Sequence, residues 1–125
     1  FVEPGSVFDI LKREIGLHFS IGKMIPNTFY NLHKDKKRKF AINLILNDYD
    51  SITFFSVEKL RDKQHHIVEL NYQPEQFYLL DVLTSHAVLN RSKDRYFLTA
   101  GTITHSFDEM FEILKSLNLI NQNSL

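Results

Sequence analysis

A chain of 125 residues fits one domain with a single core and leaves no room for two large ones. Hydrophobic residues make up 43% and charged residues 24%, the balance of a folded domain and not of a disordered segment. Fifteen basic and fifteen acidic side chains cancel, which argues against a generally basic nucleic-acid binder; the absence of cysteine excludes disulfides, thiolate metal sites and a cysteine nucleophile, and fits an intracellular protein.

No run of about 18 apolar residues and no signal-type segment is present, so no membrane span is expected. The chain starts at Phe1 and reads as part of a longer protein. In "SVFDILKREIG", Ser6 is placed as an N-cap, Val7, Ile10, Leu11 and Ile15 form an apolar stripe, and Gly16 stands where a helix stops. This predicts a short amphipathic helix over 7–15 within an N-terminal extension of residues 1–19.

From "SIGKMI" the pattern turns to that of strands. "RKFAINLILN" alternates, with Phe40, Ile42, Leu44 and Leu46 on one face and Asn43 and Asn47 on the other. "NDYD" reads as a turn and "SITFFSV" as its partner strand, giving a hairpin. "HHIVELN" is another strand, Pro74 breaks "YQPEQ", and "FYLLDVL", "HAVLN" and "RYFLTA" follow, the last two across the polar turn "RSKD". About seven strands joined by short connections predict an antiparallel sheet.

The final helix is strongly marked. Ser106 and Glu109 have capping-box spacing, and Phe107, Met110, Phe111, Leu114 and Leu117 fall on one stripe that reads as core. Residues 121–125 read as a frayed tail.

Residues with chemical potential are few by this reading. His65 and His66 point to opposite faces of a strand and cannot ligate one metal together. Asp48 and Asp50 bracket a turn, where aspartate serves local bonding. The four glycines make no phosphate-cradling loop, no nucleophile motif is present, and Asn90-Arg91-Ser92 is read as a chance match to a glycosylation sequon. No enzyme activity and no cofactor are therefore expected.

Charge is segregated despite the neutral total. Lys34, Lys36, Lys37, Arg38 and Lys39 stand against Asp35; Lys59, Arg61 and Lys63 against Glu58 and Asp62; Arg91, Lys93 and Arg95 against Asp94. Alternation places the first two segments at one end of a meander.

Seven strands followed by one amphipathic helix is the order of a pleckstrin homology domain, and local words agree. "KDKKRKFAINL" resembles the family's second strand, "ITFFSVEKLRDKQHHIVELN" its third strand, variable loop and fourth strand, "DRYFLTAG" its seventh strand, and "FDEMFEIL" its closing helix, with Ile113 or Phe111 standing where the family's Trp packs. The resemblance implies a mainly β domain over 20–120: a bent seven-stranded antiparallel barrel capped by the C-terminal helix. It also implies that all three basic segments gather at the open end, where Lys34, Lys36, Lys37, Arg38, Lys59, Arg61, Lys63, Arg91, Lys93 and Arg95 would bind phosphoinositide or other anionic lipid headgroups. Arginine offers phosphate a bidentate fork and lysine a mobile point charge. The function so implied is a non-catalytic module that brings a larger signalling or trafficking protein to cytoplasmic membranes as a peripheral protein.

The alternative is a protein-interaction domain, either of this fold without lipid binding or an α+β RWD-like domain of kinetochore-type assemblies. The RWD-like fold makes "QPEQFYLLDVLTSHAVL" helical, so residues 75–90 discriminate: two strands for one fold, a helix for the other.

Overall fold

The computed structural model describes residues 5–59 and 64–120, with backbone alone at 58, 59, 64 and 65. The first element forms as its sequence dictates. Helix α1 spans Val7–Ile15, Ser6 accepts from the Asp9 backbone N–H, and Gly16 ends the helix at φ +68°, where a side chain would be strained.

Eight strands follow among the described residues: β1 (His18–Met24), β2 (Thr28–His33), β3 (Ala41–Ile45), β4 (Ser51–Lys59), β5 (Gln64–Leu70), β6 (Tyr78–Leu80), β7 (Ser85–Asn90) and β8 (Arg95–Gly101). They form two four-stranded antiparallel sheets, one in the order β1-β8-β3-β6 and the other β2-β7-β4-β5. That double Greek-key order is the jelly roll.

The expected bent barrel is thereby overturned. Short connections between alternating segments suggested hairpins, yet only β4 and β5 pair with a chain neighbour. Elsewhere the short links cross from one sheet to the other. "NDYD" is such a crossing and not a hairpin turn: β3 pairs with β6 and β8, and β4 with β5 and β7. The RWD-like alternative also fails, because residues 75–90 hold β6 and β7 and no helix. The segment from Thr28 to His33, treated as part of a basic connection, is a strand.

Helix α2 (Phe107–Ser116) begins with the predicted reciprocal capping box between Ser106 and Glu109. Both helices serve the first sheet. Leu11 of α1, Met110 and Leu114 of α2, and Leu17 pack with Phe40, Ile42 and Ala100, the helix-facing side of β3 and β8. Full burial of such side chains stabilises by roughly 1.5–3 kcal/mol each. Ile113 is partly buried against this cluster, while Phe111 stacks on Phe107 with ring centroids 6.4 Å apart.

Alternation decides what the opposite face does. Ala41 and Asn43 of β3 and Arg95 and Phe97 of β8 point the other way, toward Thr53 and Phe55 of β4 and His86 and Val88 of β7. These inner faces do not close on each other. They line a cavity of about 1250 Å³ between the sheets. Gly22, cross-strand partner of Phe97, leaves room for that ring, which a Cβ at position 22 would strike.

Candidate metal centre and anion site

His33 is the last residue of β2, Asp35 lies two residues on in the β2–β3 loop, and His86 is near the start of β7. Strand pairing sets His33 against His86, so adjacent strands deliver both rings to one place. His33 Nε2 lies 3.5 Å and His86 Nε2 3.4 Å from the same carboxylate oxygen, Asp35 Oδ1. All three ligand atoms fall within 4.8 Å of one another. Ligands about 2.1 Å from one metal ion in neighbouring octahedral positions stand about 3 Å apart.

Hydrogen bonds orient the two rings. His33 Nδ1 is 2.7 Å from the Asn31 carbonyl oxygen and His86 Nδ1 is 2.8 Å from that of Thr84. A carbonyl only accepts, so each Nδ1 carries a proton, and Nε2 is the ring atom that each histidine turns to Asp35 Oδ1. Such outer bonds are the usual means of orienting histidine ligands. Tyr30 packs edge-on to His33 with centroids 4.6 Å apart, and Phe55 lies 5.4 Å from His86.

The other Asp35 oxygen is held by Arg38. Its Nε and Nη2 donate to Oδ2 at 3.0 and 2.8 Å. Arg38 Nη1 donates to the Thr99 hydroxyl at 2.9 Å, Thr99 donates to Asn43 Oδ1 at 2.7 Å, and Asn43 Nδ2 donates to the Tyr72 hydroxyl at 3.3 Å. The chain ends at Arg95, whose guanidinium lies 5.6 Å from the Tyr72 ring centre and 5.2 Å from that of Phe97.

Arg95 lines the same cavity and is 4% exposed. Among the described residues no carboxylate lies within ion-pair distance of it, and its Nε has no hydrogen-bond partner. Burial pulls its pKa below the ordinary arginine value, with Tyr72 opposing. Burial likewise raises the Tyr72 phenol, partly offset by the Asn43 hydrogen bond and by Arg95. Arginine stays protonated regardless, so this is a buried charge without a counter-charge, at a cost of several kcal/mol. Thr53, also buried and lining the cavity, has a hydroxyl without a partner.

The sequence-derived basic residues fall in different places. Lys34, Lys36, Lys37 and Arg38 border the cavity beside Asp35. Lys59 ends β4 at the end of the second sheet that carries His86, while Arg61 and Lys63 lie outside the described residues. Arg91 and Lys93 sit at the opposite end, where Asn90 pairs with Thr28, and are engaged by Asp50 at 2.7 Å and Asp48 at 2.8 Å. The two aspartates thus tie the β3–β4 crossing to the β7–β8 turn. Hence the three basic segments do not gather, and Arg95 points between the sheets. Asn90 is fully buried, its Nδ2 bonded to the carbonyls of Met24, Ile25 and Lys93, so the sequon is structural. His66 is exposed on β5, apart from the cluster.

Sequence reasoning weighed neighbouring histidines and passed over distant ones. The available signal was the His33-x-Asp35 spacing, which places two ligands on one side of an extended chain, with a later histidine and a buried strand arginine completing the set.

No helix among the described residues is long and apolar enough to cross a membrane. No family model matches the sequence. No curated protein matches it either. Among solved structures, a chain from crystal structures of the DMSP lyases RdDddP and RnDddQII aligns over 69% of this chain and 38% of its own, at 15% identity and a TM-score of 0.43. Peruvianin-I, a cysteine peptidase from Thevetia peruviana latex, aligns over 70% and 52% at 12% identity and TM-score 0.47. The dTDP-4-dehydrorhamnose 3,5-epimerase from Elizabethkingia anophelis NUHP1 aligns over 87% and 64% at 13% identity and TM-score 0.45. The chain spans less than two thirds of each of these structures.

Proposed function

We propose that this domain carries the site of a non-haem iron(II) oxygenase that uses a 2-oxo acid bearing a second carboxylate as co-substrate. The observation that carries the reading is the convergence of His33 Nε2, Asp35 Oδ1 and His86 Nε2, with both Nδ1 atoms engaged by carbonyls, in the cavity that also holds Arg95, which has no carboxylate partner among the described residues. Two imidazoles and one carboxylate on one face of a metal, the remaining positions open, is the donor set of iron(II) oxygenases. This departs from the non-catalytic expectation drawn from composition and motifs.

Iron(II) held by His33, Asp35 and His86 would supply dioxygen activation, the co-substrate giving up carbon dioxide and taking one oxygen atom while the other would enter a substrate C–H bond as a hydroxyl. The protein's own groups do the positioning. His33 Nε2, Asp35 Oδ1 and His86 Nε2 would hold the metal, and a three-ligand set would leave room for co-substrate and dioxygen. Arg38 engages Asp35 Oδ2 and so favours monodentate ligation through Oδ1. Arg95 offers the far carboxylate a bidentate fork in a site shielded from water, where the pair is stronger than at a surface.

Anaerobic titration tests the reading. Protein with iron(II) and 2-oxoglutarate should develop the visible charge-transfer band of an iron-bound 2-oxo acid, and admission of air should release succinate and carbon dioxide. His33→Ala and His86→Ala should abolish the band. Arg95→Met should bind metal but require far more 2-oxoglutarate. Absence of the band in the unsubstituted protein, or its persistence in both histidine variants, overturns the proposal.

A further inference from the structure

The cavity wall is built in two ways. The central strands β3, β4, β7 and β8 contribute alternate residues, so the cavity meets their faces. Strand β2 contributes all six of its consecutive residues, Thr28 to His33, so what it presents is its edge. It pairs with β7 alone and is the outer strand of its sheet. Phe29, Tyr30 and Leu32 are 54%, 59% and 46% exposed, on both sides of the strand.

Bare edges are normally blunted by lysine or proline. Strand β2 contains neither, nor any other formally charged residue; its register shifts between Tyr30 and His33, where the Leu32 N–H donates to Asn31 Oδ1 and the Asn31 carbonyl oxygen is bonded to His33 Nδ1, so the open part of the edge is Thr28 to Tyr30. The lysines come directly after it, as Lys34, Lys36 and Lys37 in the loop that carries Asp35. All three are exposed, border the cavity and lack an ion-pair partner among the described residues. The other cationic lining groups are accounted for: Lys23 faces Asp94 at 3.8 Å, Arg38 holds Asp35, and Arg95 is the anchor assigned above to the co-substrate. Among the described residues Asp35 is the single carboxylate on the lining. Three cations at the mouth therefore remain for whatever enters.

From this juxtaposition of a strand edge open over Thr28 to Tyr30 with a lysine cluster beyond its metal-proximal end that has no ion-pair partner among the described residues, we infer that the substrate is an acidic peptide segment. It docks in extended form along β2 and is led by its carboxylates toward the metal; this rests on the oxygenase reading. An added strand draws affinity from main-chain hydrogen bonds, and flanking charge sets register and encounter rate. A compact anionic metabolite would account for the lysines but not for an open strand edge lining the site. Single-stranded nucleic acid would use the lysines and aromatic rings but not the backbone edge.

The test uses the full chain and a fluorescein-labelled peptide of alternating Glu and Val, with three comparators: its Lys–Val counterpart, the same acidic peptide N-methylated at alternate amides, and an oligothymidylate. The acidic peptide should bind and slow hydrogen exchange at β2 amides. N-methylation, or Lys34→Glu/Lys36→Glu/Lys37→Glu, should weaken binding about tenfold or more, and the Lys–Val peptide should not bind. The milder Lys36→Ala/Lys37→Ala variant gives the same direction if the triple variant misfolds. No binding of the acidic peptide, binding indifferent to N-methylation, or equal binding of oligothymidylate overturns the inference. Cobalt(II) titration separates the two readings: cobalt bound without peptide sinks this inference alone, and peptide bound without cobalt sinks the metal site alone.

Discussion

Arg38 grips Asp35 through one oxygen only. Two of its N–H groups reach Oδ2, at 3.0 and 2.8 Å, and Oδ1 is left facing His33 and His86. The carboxylate is thus oriented before any metal arrives. Arg38→Ala should lower metal affinity about 10–100-fold, the usual consequence of losing a partner of a metal ligand. Isothermal titration with manganese(II) checks this. Arg38→Lys should restore only part of the loss, because a point charge cannot reproduce the two-pronged hold.

Arg95 separates stability from function. Among the described residues its charge is buried without a counter-charge, so Arg95→Met should leave the unfolding temperature unchanged or raise it, because burying an unpaired charge costs free energy. Wild-type protein should be stabilised against heat by 2-oxoglutarate plus manganese(II), and the variant should not. Scanning fluorimetry with and without the two ligands reads both effects. A large drop in the variant's intrinsic stability would show that Arg95 is paired in solution.

Acid should weaken the protein at identifiable points. Hydrogen bonding and charge from Lys93 lower the Asp48 pKa, Ser92 and Arg91 lower that of Asp50, and the Ser106 cap lowers that of Glu109. A carboxylate with a depressed folded pKa binds fewer protons than it does unfolded. Its contribution is present above the ordinary carboxylate pKa and is lost as pH falls through the folded value. Asp50→Asn and Glu109→Gln should flatten the acid limb of the stability profile, followed by urea denaturation from neutral pH downward. Asp48 and Glu109 are exposed and Asp50 is half-buried, so each effect should be modest and should shrink in high salt.

The helix-backed core predicts a larger loss. Phe40 is fully buried among Leu11, Leu17 and Met110, and Phe40→Ala should cost about 3–5 kcal/mol. Gly101→Ala is subtler. Its Cβ would stand 2.9 Å from Arg38 Cδ and 3.1 Å from the Phe40 carbonyl oxygen, displacing the arginine that orients Asp35. Metal affinity should fall more than stability does, which comparison of manganese(II) titration with urea unfolding would show.

Local physics was legible in the sequence and long-range pairing was not. Ser6 and Gly16 bounded α1, Ser106 and Glu109 opened α2, and the alternation of Phe40 and Ile42 against Asn43 was borne out, because caps and period-two patterns act within a few residues. Partner choice depends on surfaces far apart in the chain. A jelly-roll crossing and a hairpin turn draw on the same residues, so "NDYD" could not reveal that β3 would pair with β6 and β8. The metal centre was missed for a related reason. His33 and His86 are 53 positions apart and meet only because β2 pairs with β7. Arg95, counted as one member of a basic turn, differs from Arg91 and Lys93 by a single fact invisible locally: alternation on β8 turns it inward.

The two sheets divide the labour in a way that bears on mechanics. The helix-backed sheet carries Arg95, while the two histidines belong to the sheet without helices and Asp35 to the loop between them. A dicarboxylate chelated to the metal at one end and gripped by Arg95 at the other would then act as a cross-brace between leaves that no covalent bond joins side to side. Loading the site should make the sandwich stiffer as well as reactive, closing the β1 and β2 margins around whatever lies between them.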